Sequence, residues 1–255
     1  MIDLHTHLLP GVDDGAATEE VSLDVLRRFA ADGVRLVACT PHLRSSRARS
    51  LSADALDDRF DALRRAAPAQ VTLVRGWEIL LDEPGVDLAR PHLSLGGSSA
   101  VLVEFPMAVP VLADRELFRI SMSGAVPVLA HPERYYGCTP QSARAWRAAG
   151  AALQVDAAML LGEGNRARTA RLLLAEGLVD LVASDNHGDG RAMALARDWL
   201  LAHGGAEQCE LLSRTNPERL LRNERPLPVP PLPLPEGALR KLKSWFTDHA
   251  GRPRA

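Results

Sequence analysis

Cysteine is scarce in this chain of 255 residues. Cys39, Cys138 and Cys209 are the only three, and none stands in a C-x-x-C spacing. An odd, unpatterned set does not build a disulfide framework and suits a reducing compartment, so a cytoplasmic location is expected. No basic segment followed by an apolar stretch precedes His5, and a cleaved secretory signal is therefore not expected. No uninterrupted apolar run approaches the roughly 20 residues of a membrane span, so no membrane insertion is expected. An excess of charge of one sign is missing too. The 30 Lys and Arg against 32 Asp and Glu leave a formal net charge of −2, which argues against nucleic acid as a partner. No internal repeat is visible.

What remains is a chain with 46% hydrophobic residues, enough to fill the core of one large domain. Strand-like runs lie near residues 2–5, 34–40, 71–78, 100–105, 126–131, 151–156 and 179–184. Helical patterns alternate with them, which predicts parallel βα units. The first helix begins near Thr18, with Glu19 and Glu20 in its electropositive first turn, and stops at Gly33. Further helices are expected over 52–67, 113–123, 141–149, 165–176 and 191–202. Thr139-Pro140 is a start signal, because proline is tolerated at the first helical position. The strands number about seven, one short of the eight of a TIM barrel. The expected fold is α/β, a distorted seven-stranded TIM-like (β/α)7 barrel over residues 1–225. Residues 226–235 hold six prolines and predict an extended linker over 226–236. A short amphipathic helix over 237–249 is expected in the tail that follows.

The chemistry gathers where those runs end. His5 and His7 close the first run, and alternate residues of a strand share a side, so both rings can reach one ion. His42 follows Thr40-Pro41, and Glu78 and Glu104 end two more runs. His131 opens His131-Pro132-Glu133-Arg134, and Asp185 and His187 end the last run. Strand ends pointing one way are where a parallel barrel builds its active site. Taken singly, each has a plain explanation. Asp13-Asp14-Gly15 alone reads as an acidic turn, and a lone His42 as a structural residue. A charged residue ending an apolar strand needs a partner, however, because an unpaired buried carboxylate is costly. Imidazoles and carboxylates converging from remote points make a metal site the better account. His92, His203 and His249 fall outside this pattern and are read as solvated or structural. Cys138 and Arg144 match the C-x5-R spacing of thiol phosphatases, but Pro140 removes an amide donor and no glycine shapes the loop, so this reading is set aside.

The ordered set Ile2-Asp3-Leu4-His5-Thr6-His7, Asp13-Asp14-Gly15, Thr40-Pro41-His42, Glu78, Val103-Glu104-Phe105, Ala130-His131-Pro132-Glu133-Arg134 and Ser184-Asp185-Asn186-His187 resembles the polymerase and histidinol phosphatase (PHP) superfamily. Within it, the chain is similar to the manganese-dependent protein-tyrosine phosphatases of bacterial capsule and exopolysaccharide operons. The resemblance covers about residues 1–223. It implies a cluster of three metal ions, one held by His5, His7, Glu78 and Asp185. A second would share Glu78 and take Glu104 and His131, and a third would take Asp14, His42 and His187. Arg134 and Arg191 match the phosphate-binding arginines, although the spacing from Asp185 to Arg191 is one residue short. The general acid implied lies near the third ion, at Asp14 or His187. Ligand type alone permits Mn, Zn, Fe or Co; the preference for manganese comes from the resemblance. The implied substrate is a phosphotyrosine protein, a tyrosine autokinase of polysaccharide export. The rivals are a small-molecule phosphatase, such as one for histidinol phosphate, and an adaptor that docks a partner through the Pro-rich tail. Arg44, Arg47 and Arg49 are read first as a solvated loop and second as a contact for an acidic, tyrosine-rich tail.

Overall fold

The strands form where β-branched and aliphatic residues run together, and three of them, over Val126–Ala130, Ala152–Asp156 and Leu181–Ala183, are buried along their whole length, as parallel strands covered on both faces must be. The computed structural model describes residues 1–232. In chain order the strands are β1 Ile2–Thr6, β2 Leu36–Cys39, β3 His42–Arg44, β4 Thr72–Arg75, β5 Glu78–Leu80, β6 Ala100–Glu104, β7 Val126–Ala130, β8 Ala152–Asp156 and β9 Leu181–Ala183. The helices are α1 Glu19–Asp32, α2 Ser45–Ala48, α3 Asp57–Ala66, α4 Ala113–Met122, α5 Pro140–Ala148, α6 Ala157–Leu161, α7 Gly164–Ala175, α8 Met193–Ala202, α9 Ala206–Glu210 and α10 Asn216–Leu221.

Every pairing between these strands is parallel. They form two sheets, β1-β2-β4 and β3-β5-β6-β7-β8-β9. This corrects the expected single barrel of seven strands: the described residues form nine strands in two unclosed sheets. The difference arises at two interruptions. The run expected over 34–40 ends at Pro41 and a further short strand, β3, follows it, while the run expected over 71–78 breaks at Gly76-Trp77 and is followed by β5; both added strands lie in the other sheet. Pro41 has no N–H to give a ladder. Gly76 lies so close to its neighbours that a Cβ would sit 2.7 Å from Leu95 Cδ2 and 3.1 Å from Thr40 Cγ2. The outer strands of the two sheets meet through backbone bonds from Asp185 N–H to the His5 carbonyl (3.0 Å) and from His7 N–H to the Asn186 carbonyl (2.8 Å).

Helix boundaries follow local chemistry. Thr18 caps α1, its hydroxyl accepting from Val21 N–H, and Gly33 ends it at φ 88°, a conformation glycine adopts without strain. Thr139 and Ser142 form a reciprocal cap at the start of α5, with Pro140 in its first turn. The helix expected over 52–67 begins only at Asp57, after Leu56 in a left-handed conformation (φ 68°). Apolar side chains pack in two layers. Leu4, Ala38, Leu102, Val128, Ala130, Ala152 and Leu181 cluster with Leu220 of α10, and a larger cluster joins the other strand faces to the surrounding helices.

The Pro-rich segment, expected to be a spacer, is packed against the body as far as it is described. Val229 and Leu232 are buried. Asn216 accepts from Leu227 N–H and donates to its carbonyl, Gln208 donates to the carbonyls of Pro230 and Pro231, and Leu232 N–H donates to the Leu174 carbonyl. A chain rich in proline leaves its carbonyls unpaired, and the helix side chains take them up. The rest of the linker, the tail helix expected over 237–249 and His249 lie outside the described residues.

Candidate metal centre

The C-terminal ends of β1, β6, β7 and β9 and the first residues of β3 and β5, His42 and Glu78, bring the predicted residues to one rim. His5 Nε2 lies 3.2 Å from His7 Nε2, 3.2 Å from Glu78 Oε2 and 3.3 Å from Asp185 Oδ1. His7 Nε2 lies 3.1 Å from the same Glu78 oxygen and 3.4 Å from the same Asp185 oxygen. The other oxygen of Glu78 meets His131 Nε2 at 2.7 Å, and Glu104 stands 3.8 Å from that nitrogen. His42 Nδ1 is 2.9 Å from Glu78 and 3.9 Å from Glu104. Its other nitrogen is 3.3 Å from Asp14, which lies 3.6 Å from His187.

Four sets of donors lie close enough to enclose an ion: His7, Asp14, His42 and His187; His5, Glu78 and His131; His5, His7 and Asp185; and His42, Glu78 and Glu104. All nine expected ligands belong to these sets. The partition differs from expectation: there are four sets in place of three, Glu78 is absent from the set of His5, His7 and Asp185, His131 groups with His5 and Glu78, Glu104 groups with His42 and Glu78, and His7 also joins the Asp14 set.

The local backbone explains the convergence. Gly15 lets the acidic loop fold onto β1, since a Cβ there would lie 2.1 Å from the His7 carbonyl oxygen. His131 and Asp185 both take left-handed conformations, with φ of 35° and 49°. Such angles are uncommon for residues other than glycine and turn both side chains back over the strand ends. Asp13 Oδ2 is 2.7 Å from His7 Nδ1 and accepts from His42 N–H at 3.1 Å. Sequence reading had treated Asp13 only as part of a turn.

The donor set fits a cation. Glu78 Oε2 is buried and accepts no well-directed hydrogen bond, although three ring nitrogens stand beside it. Two imidazole nitrogens only 3.2 Å apart need a proton or a cation between them. Electrostatics agree. Burial opposes charge on His5, but Glu78 and Asp185 outweigh it and hold the pKa at about 9. Burial likewise works against His7, and contacts with Asp13, Asp185 and Glu78 raise it to about 11. Burial would raise Glu78 and Asp185; the neighbouring imidazoles, His5 foremost, hold both well below the usual carboxylate range. Glu104 is raised by burial and by the charge of Glu78. His187 is lowered by burial and by His7. The cluster collects positive charge, and a divalent ion would replace the imidazole protons.

Arg134 and Arg191 flank this cluster. Both pair with Asp185 Oδ2, Arg191 at 3.0 Å, and Arg134 also pairs with Asp156. Arg191 reaches the site despite its short spacing. Gln154 and Asp156 of β8 also line the site and were missed by sequence reading; two polar residues at period two inside an apolar run were the available signal. Cys138 is buried and its thiol is pushed up to about 12, while Arg144 pairs with Glu176 instead. His203 bonds the Trp199 carbonyl, and His92 lies apart from the cluster beside Trp77. Arg44 and Arg49 face Asp82 and Glu83 at 3.8 and 3.9 Å. Among the described residues no helix is long and apolar enough to cross a membrane.

The sequence matches the family described as "Capsular polysaccharide synthesis, CpsB/CapC" over residues 1–222. It is 31% identical over 261 residues to tyrosine-protein phosphatase YwqE of Bacillus subtilis (strain 168), an alignment covering 96% of this chain and 100% of that relative. Tyrosine-protein phosphatase CpsB of Streptococcus agalactiae serotype V is 27% identical over 241 residues, 88% of this chain and 99% of the relative. Among solved structures, a chain from the work on YwqE from Bacillus subtilis and CpsB from Streptococcus pneumoniae, described as unique metal-dependent tyrosine phosphatases, matches with a TM-score of 0.78 and 30% identity. That match covers 92% of this chain and 100% of the other. An organophosphorus hydrolase from Deinococcus radiodurans matches with a TM-score of 0.50 at 17% identity, covering 85% of this chain and 91% of that one, a likeness of fold alone. Sequence and shape agree over nearly the whole described body, and the chain belongs to the CpsB/CapC family of capsular polysaccharide synthesis.

Proposed function

We propose that this chain is a metal-dependent tyrosine-protein phosphatase that hydrolyses the phosphate monoester of phosphotyrosine. The observation that carries the reading is the convergence of His5, His7, Glu78 and Asp185 within 3.4 Å contacts, with two arginines turned onto the same aspartate. The names of the relatives support the reaction. His5, His7, Glu78 and Asp185 would hold one ion, Glu78, Glu104 and His131 a second, and Asp14, His42 and His187 a third. Manganese is the proposed metal, and the same donors would accept Zn, Fe or Co.

Bound divalent ions would supply charge for the phosphoryl oxygens and a nucleophile at neutral pH. The protein's own side chains do the rest. Arg134 and Arg191 are partly exposed and present N–H donors at the rim, where an incoming phosphate can replace Asp185 as their partner and receive bidentate bonds. Neutralising the equatorial oxygens of the transferring group is where phosphoryl transfer gains most of its stabilisation. The leaving phenolate has a pKa of about 10 and needs less protonation than an alkoxide. The proposed general acid for it is Asp14 or His187, which lie 3.6 Å apart. The proposed protein substrate is a tyrosine autokinase of polysaccharide export in the cytoplasm, with residues 1–225 as the catalytic domain.

Parallel assays with a phosphotyrosine peptide and histidinol phosphate test the reading. The peptide is expected to be the better substrate by kcat/KM in manganese. Strong preference for histidinol phosphate would move the chain to small-molecule chemistry.

A further inference from the structure

β8 carries none of the proposed ligands, yet its two polar side chains, Gln154 and Asp156, are fully buried at the edge of the cluster. Buried polar groups must be paired, and their pairings here run in one direction. Asp156 Oδ1 accepts from Gln154 Nε2 at 3.1 Å, and Asp156 Oδ2 faces the guanidinium of Arg134. Gln154 Oε1 lies 2.8 Å from His5 Nδ1.

Donor and acceptor chemistry then fixes the whole line. A carboxylate paired with an arginine can only accept, so Gln154 must turn its NH2 to Asp156 and its carbonyl to His5. That carbonyl requires a proton on His5 Nδ1. The lone pair of Nε2 is thereby directed at His7, Glu78 and Asp185, where the metal reading needs it. The same aspartate holds Arg134, which also faces Asp185.

We propose that Gln154 and Asp156 are positioning residues that join the two halves of the site: Asp156 orients the Gln154 amide, Gln154 sets the tautomer of His5, and the second oxygen of Asp156 aims Arg134. The inference rests on the phosphatase reading and deepens it. One carboxylate behind the rim sets both how His5 meets an ion and where the arginine waits for phosphate.

The test uses the full chain, Mn2+ binding by calorimetry, steady-state turnover of p-nitrophenyl phosphate and inhibition by orthophosphate. Gln154→Leu is expected to weaken Mn2+ binding by about 10–100-fold, the range for partners that orient metal-binding histidines, while KM and orthophosphate inhibition at saturating Mn2+ stay near wild type. Gln154→Glu keeps an acceptor facing His5 but loses the NH2 that Asp156 holds, so it is expected to recover only part of that affinity. Asp156→Asn is expected to lose affinity for the metal and, in addition, to raise KM and the orthophosphate inhibition constant by about tenfold. A pair that merely fills the core would lower Tm in all three variants without this split. The fourth readout needs no variant: 15N NMR of the Zn2+-loaded wild type is expected to place the His5 proton on Nδ1. A proton on Nε2, or Gln154→Leu and Asp156→Asn proteins that bind Mn2+ and orthophosphate like wild type, would overturn the relay. A wild-type chain that binds no Mn2+ and cleaves no aryl phosphate would instead overturn the phosphatase reading beneath it.

Discussion

Asp13 holds His7 from behind: one carboxylate oxygen lies 2.7 Å from His7 Nδ1, and the other accepts the Gly15 N–H at 3.0 Å. A turn that looked like surface acid in the sequence is therefore the brace of a buried ring. Asp13→Ala is expected to leave the chain folded and to weaken Mn2+ binding by about 10–100-fold. Unchanged affinity in a chelator competition would show that His7 needs no brace.

Without metal, His5 and His7 store protons. His5 at about 9 and His7 at about 11 lie above the ordinary value of about 6.5, so the folded protein binds these protons more tightly than the unfolded chain does. Their contribution to stability is present in full below pH of about 6.5 and is lost as pH rises through 9 and then 11. Adding Mn2+ near pH 7 is expected to release a proton from each ring. Calorimetry in buffers of different ionisation enthalpy measures the release, and a count near zero would contradict it.

Glu78 stands within 3.2 Å of ring nitrogens of four expected ligands, His5, His7, His42 and His131. Glu78→Gln removes a charge from two of the proposed ion sites at once. It is expected to lower kcat by more than about 100-fold, equivalent to roughly 3 kcal/mol of transition-state stabilisation, and to lower the bound metal content. Cys138→Ser, at a buried thiol pushed up to about 12, is expected to leave turnover of an aryl phosphate intact. Loss of activity in a folded Cys138→Ser protein would reopen a thiol mechanism.

Truncation after Arg225 tests the packed Pro-rich segment. It would uncover the surface beneath Val229 and Leu232 and strip Asn216 of its partners at Leu227. The burial lost is worth about 3–6 kcal/mol before the entropy regained by the freed chain is subtracted, so Tm is expected to fall by roughly 5–10 °C. Turnover of a small aryl phosphate should persist, because the segment, as far as Leu232, bonds to α7, α9 and α10. An unchanged melting curve would mean the segment adds nothing.

The candidate ligands His5, Glu78, Glu104, His131 and Asp185 stood out because each ends or follows an apolar run, where an unpaired charge is costly, whereas Asp14 lies in a loop and came from the family resemblance alone. His5, Glu78, His131 and Asp185 could be picked out that way without knowing how the strands were ordered. The division of the strands between two sheets could not. Gly76 splits a run that periodicity joins, Pro41 sets a further short strand beyond another, and the close approach of Thr40 and Leu95 to Gly76 shows in the fold alone. Gln154 and Asp156 showed only as two polar residues in an apolar run; the sequence could not say what they meet, because Gln154 pairs with His5, more than 140 positions away, and Asp156 with Arg134. The burial of Val229 and Leu232 was hidden because proline-rich composition describes a backbone shape and says nothing about what lies beside it.

The left-handed angle at Asp185 bears on how mutants there should be read. An alanine at that position would delete a carboxylate and also lose the polar side chain that helps a residue tolerate this region of backbone space, leaving the peptide free to swing away and carry the hydrogen bond to His5 with it. Asparagine tolerates the same angle. The comparison of Asp185→Asn with Asp185→Ala therefore separates the loss of a negative charge from the relaxation of a bent hinge, two effects that a single alanine would merge into one number.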